Sequence, residues 1–114
     1  QNLRLCLSHG GGLVAFNIWR LDHAFSQRDE MRQHISKKPS EYLKKIYFDS
    51  ILHSVAAIEY LIRVVGADRV VIGTDHPFDM GPENLRKSID TIPGLTADER
   101  AQICERTARS LLGE

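Results

Sequence analysis

The sequence predicts an α/β fold built on a parallel sheet, and three observations predict it. Short apolar runs that suit strands alternate with longer runs that suit helices, in the order strand, helix, strand, helix, strand, helix, helix. The run Val70-Val71-Ile72 is apolar and β-branched throughout, as in a strand buried on both faces. His9, Asp49 and Asp75 each close a strand-like run, so right-handed crossovers place all three on one rim of the sheet. In parallel α/β folds that rim is where catalytic and ligand-binding groups collect.

The elements follow in order. Residues 3–8 read as a strand that ends in His9-Gly10-Gly11-Gly12, where glycines let the backbone turn sharply or approach a ligand. From Leu13 to about Gln33 the apolar positions Val14, Phe16, Ile18, Trp19, Leu21, Ala24 and Phe25 fit one helix with a broad stripe. Phe16 and Trp19 are assigned to the core or to a subunit interface. A loop at Lys37-Lys38-Pro39-Ser40 leads to a short helix over 41–45, and Ile46-Tyr47-Phe48-Asp49 is the second strand. Val55, Ile58, Leu61, Ile62 and Val65 lie at helical spacing with Gly66 placed to end the helix. Residues 69–74 form the third strand, which Pro77 stops. A helix over 83–90 follows. Thr96-Ala97-Asp98-Glu99 is a capping box that opens a last helix carrying Ile103, Ala108, Leu111 and Leu112. Three strands cannot close a barrel and leave two bare edges. Either the fold is a small open sandwich or further strands exist.

Composition narrows the function classes. The 114 residues carry 15 basic and 15 acidic side chains, which gives no electrostatic footprint for nucleic acid or an anionic membrane. No apolar run nears the roughly 20 residues of a membrane span. Cys6 and Cys104 belong to no metal or redox motif and are expected as reduced, buried thiols of a cytoplasmic protein. The chain starts on Gln1-Asn2 and enters a strand by Leu3, so it is expected to be a portion of a longer protein.

A His and two Asp at successive strand tips form a set suited to a divalent metal or to acid–base chemistry. An ionised Asp75 at a buried tip needs a cation or donors to offset its desolvation, unless it simply caps the next turn. Taken together, Ser8-His9-Gly10-Gly11-Gly12, then Arg20 and Asp22, then Tyr47-Phe48-Asp49-Ser50, then Gly73-Thr74-Asp75-His76-Pro77-Phe78 resemble the amidohydrolase superfamily. Within it the chain looks like the branch of aminocarboxymuconate-semialdehyde decarboxylase.

The resemblance implies that residues 1–114 are the C-terminal portion, about strands six to eight with their helices, of one metal-dependent (β/α)8 barrel. It implies His9 as the catalytic histidine and Asp75 as a metal ligand able to shuttle a proton. The metal is expected to be divalent, zinc above all. Arg20 and Arg28 match positions where that decarboxylase sets arginines near substrate carboxylates, the first reaching into the neighbouring subunit's site. A homodimer and a small carboxylate substrate are therefore expected. The His-x-His pair and the further histidine that complete the family's metal site do not occur in these residues. As given, the chain is expected to bind metal weakly and turn over nothing.

Each residue also has an ordinary reading. Asp49 can cap the following helix, His53 can be a loop residue, and His76 holds a place that takes aromatic side chains; all three flank the rim and can support the site. Arg20 can pair with Asp22, and Arg28 with Asp29 or Glu30. Two other functional readings stand beside decarboxylation. One is a hydrolase or hydratase on the same scaffold. The other is a non-catalytic half-barrel that dimerises or aggregates through its open edges.

Overall fold

A computed structural model describes residues 3–114. Its elements are β1 (Leu5–Leu7), α1 (Val14–Gln27), α2 (Asp29–Arg32), α3 (Pro39–Leu43), β2 (Ile46–Asp49), α4 (Val55–Val65), β3 (Val70–Val71), α5 (Leu85–Asp90), α6 (Ala97–Ala101) and α7 (Thr107–Leu112). A π-helical turn, Gln102–Arg106, joins the last two helices. The strands form one parallel sheet in the order β1-β2-β3, with Leu5 opposite Ile46, Leu7 opposite Phe48 and Phe48 opposite Val70. Alternation of strands and helices in the sequence therefore gives the α/β arrangement expected.

Central strand β2 carries the core. Phe48 is fully buried, and Ile18 of α1, Ile58 and Leu61 of α4, Ile89 of α5, Ile92 and Ile103 close around it. Each such side chain contributes about 1.5–3 kcal/mol through removal from water. Helix α4 forms where its apolar spacing and caps predict: Ser54 Oγ accepts from the Ala57 N–H, and Gly66 takes a φ of 97° just past its end. Thr96 and Glu99 make the reciprocal capping box that starts α6.

The strands are shorter than expected, for a physical reason. A strand is ladder-bonded only where it has a partner, and β2 has four residues. The first strand thus shrinks from 3–8 to Leu5–Leu7, and the third from 69–74 to Val70–Val71. Beyond Val71, the Ile72 N–H turns to the Ile103 carbonyl in the π turn, 3.3 Å away. The expected helix over 13–33 is two helices. Arg28 is extended (φ −125°, ψ 121°), and Arg32 donates to the Ser26 carbonyl at 3.1 Å, satisfying the end of α1. The short third helix begins earlier than expected because Pro39 occupies its first turn. The helix expected over 83–90 starts at Leu85, where Asn84 Oδ1 accepts from the Lys87 N–H, and the one expected last helix is interrupted by the π turn.

Two burial expectations are corrected. Cys6 is exposed on β1, an edge strand of the sheet, and Cys104, in the π turn, is half-buried. Of the two places expected for Phe16 and Trp19, the core does not hold: they are 73% and 59% exposed, and the Phe16 ring lies 6.0 Å from that of Tyr60 on α4. Among the described residues no helix is long and apolar enough to cross a membrane.

Candidate active site at the strand tips

His9 stands in a tight turn between β1 and α1, with φ 55°. Three glycines permit the turn, each at positive φ: 59° at Gly10, 73° at Gly11 and 59° at Gly12. The Gly11 N–H donates to the Ser8 carbonyl and the Gly12 N–H to the His9 carbonyl, both at 3.0 Å. The turn lies flat on the end of β2. A Cβ on Gly10 would meet the Leu52 side chain at 2.7 Å, and one on Gly11 would meet the Phe48 ring at 2.8 Å.

Asp75 follows β3 by four residues, also in the left-handed region at φ 59°. Its carbonyl accepts from the Phe78 N–H at 2.8 Å, which curls the loop back over the strand tip. That loop then passes so close to the segment before Asp75 that a Cβ on Gly81 would lie 2.3 Å from the Thr74 carbonyl oxygen. As a result the Asp75 side chain is only 13% exposed, while that of His9 is 59% exposed. His9 Nε2 and Asp75 Oδ1 are 4.0 Å apart. A carboxylate and an imidazole from segments 66 residues apart thus share one open cleft of about 390 Å³, lined also by His53, Phe78, Asp79 and Met80.

His9, His53 and Asp75 are the residues other than glycine that hold positive φ among those described, and all three line this cleft. Such backbone costs of order 1–3 kcal/mol per residue and gathers at functional sites. A larger cleft of about 670 Å³ lies beyond His53, between Pro82 and Thr91. His53 lines that cleft too, but neither His9 nor Asp75 does, so the His9–Asp75 cleft, where all three strained residues gather, is the candidate site.

The remaining candidates divide. Asp49 is buried, and its Oδ1 accepts from the Gly10 N–H at 3.1 Å and the Ile51 N–H at 3.0 Å. It stands behind the turn and outside the cleft lining. The N–H of His76 donates to Thr74 Oγ1 at 3.2 Å, bracing the loop beside Asp75. Arg20 and Arg28 are exposed on α1 and at its end, and the structure does not bring them into the His9–Asp75 cleft. Nor do they make the ordinary pairs: Asp22 Oδ1 accepts from the Ser40 N–H at 2.9 Å, and Asp29 pairs with Arg32. Among the described residues no three His, Cys, Asp or Glu side chains converge as a complete metal set. The cap by Asp22, which joins segments 18 positions apart, and the fold-back of the loop that brings Gly81 onto Thr74 went unread in the sequence.

A family model described as Amidohydrolase matches residues 1–113. The chain belongs to the amidohydrolase superfamily. A 2-amino-3-carboxymuconate-6-semialdehyde decarboxylase of Dictyostelium discoideum is 33% identical over 113 residues, covering 98% of this chain and 29% of that protein. This places the chain in the branch that contains such decarboxylases. Among solved structures, 5-carboxyvanillate decarboxylase from Sphingomonas paucimobilis is 26% identical with a TM-score of 0.76, over 96% of this chain and 33% of that one. A dihydroxybenzoic acid decarboxylase from a Polaromonas species, with bound manganese and 2-nitroresorcinol, shares the fold at a TM-score of 0.77 and 20% identity, over 97% of this chain and 34% of that one. The amidohydrolase chain therefore spans about a third of the length of the relatives it matches.

Proposed function

We propose that this chain is the C-terminal third of a (β/α)8 barrel, about strands six to eight, in a divalent-metal-dependent decarboxylase of small aromatic or muconate-like carboxylic acids. The observation that carries the reading is the meeting of His9 and Asp75, 4.0 Å apart on strained backbone, at the tips of β1 and β3. Similarity to decarboxylases along the whole chain supports it. Both outer strands, β1 and β3, have one free edge each, where further barrel strands would pair.

The donor chemistry fits a divalent cation in part. Asp75 offers one shielded carboxylate, and carboxylate with imidazole suits manganese or zinc. The other ligands would come from strands outside these residues. When bound, such a cation supplies Lewis-acid polarisation and acidifies coordinated water. Decarboxylation replaces a carboxylate on carbon by hydrogen: the C–C bond breaks, carbon dioxide leaves, and a proton is delivered to the same carbon. His9 is the proton carrier in this reading, since its Nε2 faces the cleft and is open to substrate. Arg20 and Arg28 are exposed, and they would hold substrate carboxylates through bidentate hydrogen bonds, Arg20 in the site of a second copy in a homodimer.

The test is an assay of the full gene product, loaded with manganese or zinc, on 2-amino-3-carboxymuconate-6-semialdehyde and on 5-carboxyvanillate. Carbon dioxide release that disappears in His9→Asn and in Asp75→Asn supports the reading. Turnover of uncharged esters or amides that survives Arg20→Ala with Arg28→Ala would assign hydrolysis to the scaffold instead.

A further inference from the structure

We infer that Asp49 is the positioning residue for His9: its buried carboxylate fixes the peptide plane that joins His9 to Gly10. The inference rests on the functional reading of His9 given above.

Three observations converge on it. First, the turn from Ser8 to Gly12 satisfies its own amides at Gly11 and Gly12, through Ser8 and His9 carbonyls. The Gly10 N–H has Asp49 Oδ1 as its partner, at 3.1 Å. That N–H belongs to the peptide unit whose other half is the His9 carbonyl, so the bond fixes His9 ψ and Gly10 φ together. Second, the acceptor is itself rigid. Asp49 ends β2, is 8% exposed, and its Oδ1 also accepts from the Ile51 N–H at 3.0 Å. Among the described residues no basic side chain pairs with it. The two backbone N–H groups are what offset the burial of this carboxylate, and charge-assisted bonds of this kind are roughly twice as strong as neutral ones. Third, the surface under the turn is moulded to it. Leu52 and Phe48, neighbours of Asp49 in sequence, leave room for glycine alone at positions 10 and 11.

Without the Asp49 contact, the His9–Gly10 peptide loses the long-range hydrogen bond that holds its N–H among the described residues, and a residue outside glycine drifts from φ 55°. A misplacement on the scale of 1 Å lowers turnover about a hundredfold when the group must meet a reacting atom. Asp49 does not line the cleft, so it acts through His9 and leaves substrate binding largely alone.

The experiment uses the full gene product, loaded with manganese, with 2-amino-3-carboxymuconate-6-semialdehyde as substrate. Wild type is compared with Asp49→Ala, Asp49→Asn and His9→Asn. Asp49→Ala is expected to lower kcat at least tenfold (order of magnitude from a lost buried hydrogen bond) with KM nearly unchanged. Hydrogen exchange at the Gly10 amide should accelerate by a similar factor. Asp49→Asn, which keeps an oxygen acceptor, should recover most of both. Wild-type kcat in Asp49→Ala overturns the proposal, and so does a loss of kcat with Gly10 exchange unaltered. If Asp49→Ala does not fold, Asp49→Asn and the wild type decide: an unprotected Gly10 amide in wild type overturns the proposal. Full activity in His9→Asn removes the functional reading, and the positioning role with it, whereas loss in His9→Asn with normal Asp49→Ala removes the positioning role alone.

Discussion

Replacing Gly11 by alanine tests the moulding of the His9 turn on the core. Two costs add at that position. Gly11 has φ 73°, and a non-glycine residue in the left-handed region loses about 1–2 kcal/mol. Its new Cβ would also sit 2.8 Å from Phe48 Cδ1 and Cε1. Phe48 is fully buried in the central strand and cannot swing aside, so overpacking adds about 1–3 kcal/mol. Gly94 supplies the control: its φ is 76°, yet a Cβ there meets nothing within 4 Å. Gly94→Ala should therefore cost about 1–2 kcal/mol through strain alone, and Gly11→Ala about 2–5 kcal/mol, out of a typical total of about 5–15 kcal/mol. Urea unfolding of the full gene product reads this directly. With a slope of roughly 1–3 kcal/mol per molar urea, the two midpoints should differ by on the order of 1 M at unchanged slope. Equal midpoints would refute the packing of the turn on Phe48.

Three further outcomes are expected. Thr107 is fully buried, and its hydroxyl donates to the Ala67 carbonyl at 3.3 Å and accepts from Gln102 Nε2 at 3.1 Å; Thr107→Val should lose about 1–3 kcal/mol in urea unfolding, and an unchanged midpoint would contradict the pairing. The Thr96 N–H and then its hydroxyl hold the Glu99 carboxyl below its ordinary value of 4.5. A carboxyl with a lowered folded pKa adds stability that is present above 4.5 and fades as pH falls through the folded value, so Glu99→Gln should flatten that part of the acid unfolding profile. Partial shielding of its thiol, and then the negative charge of Asp49, raise the pKa of Cys6; its alkylation should need higher pH than a free cysteine, and Asp49→Asn should lower that pH.

Much of the site was legible because it follows from topology. Parallel strands put their C-terminal ends on one rim, so His9 and Asp75 meet although 66 positions separate them. The capping box at Thr96 and the cap at Gly66 were equally plain, since each is a local rule. What escaped the sequence is what depends on neighbours. Phe16 and Trp19 of α1 are exposed, and a broad apolar stripe does not say which residues meet the core. Strand lengths follow the four residues of β2, not the runs that flank it. The π turn has no periodicity of its own, and it takes the Ile72 N–H out of the ladder. Asp49 showed its position but not its bond to Gly10, which spans 39 residues.

The most direct measurement is an anomalous-difference map of a crystal of the full gene product grown with manganese. The proposed function predicts a peak at about 2.0–2.2 Å from an Asp75 carboxylate oxygen, the distance of a coordinating oxygen, with the His9 imidazole beside it. A manganese bound elsewhere, with Asp75 away from it, would contradict the assignment of this cleft as the metal site of a decarboxylase.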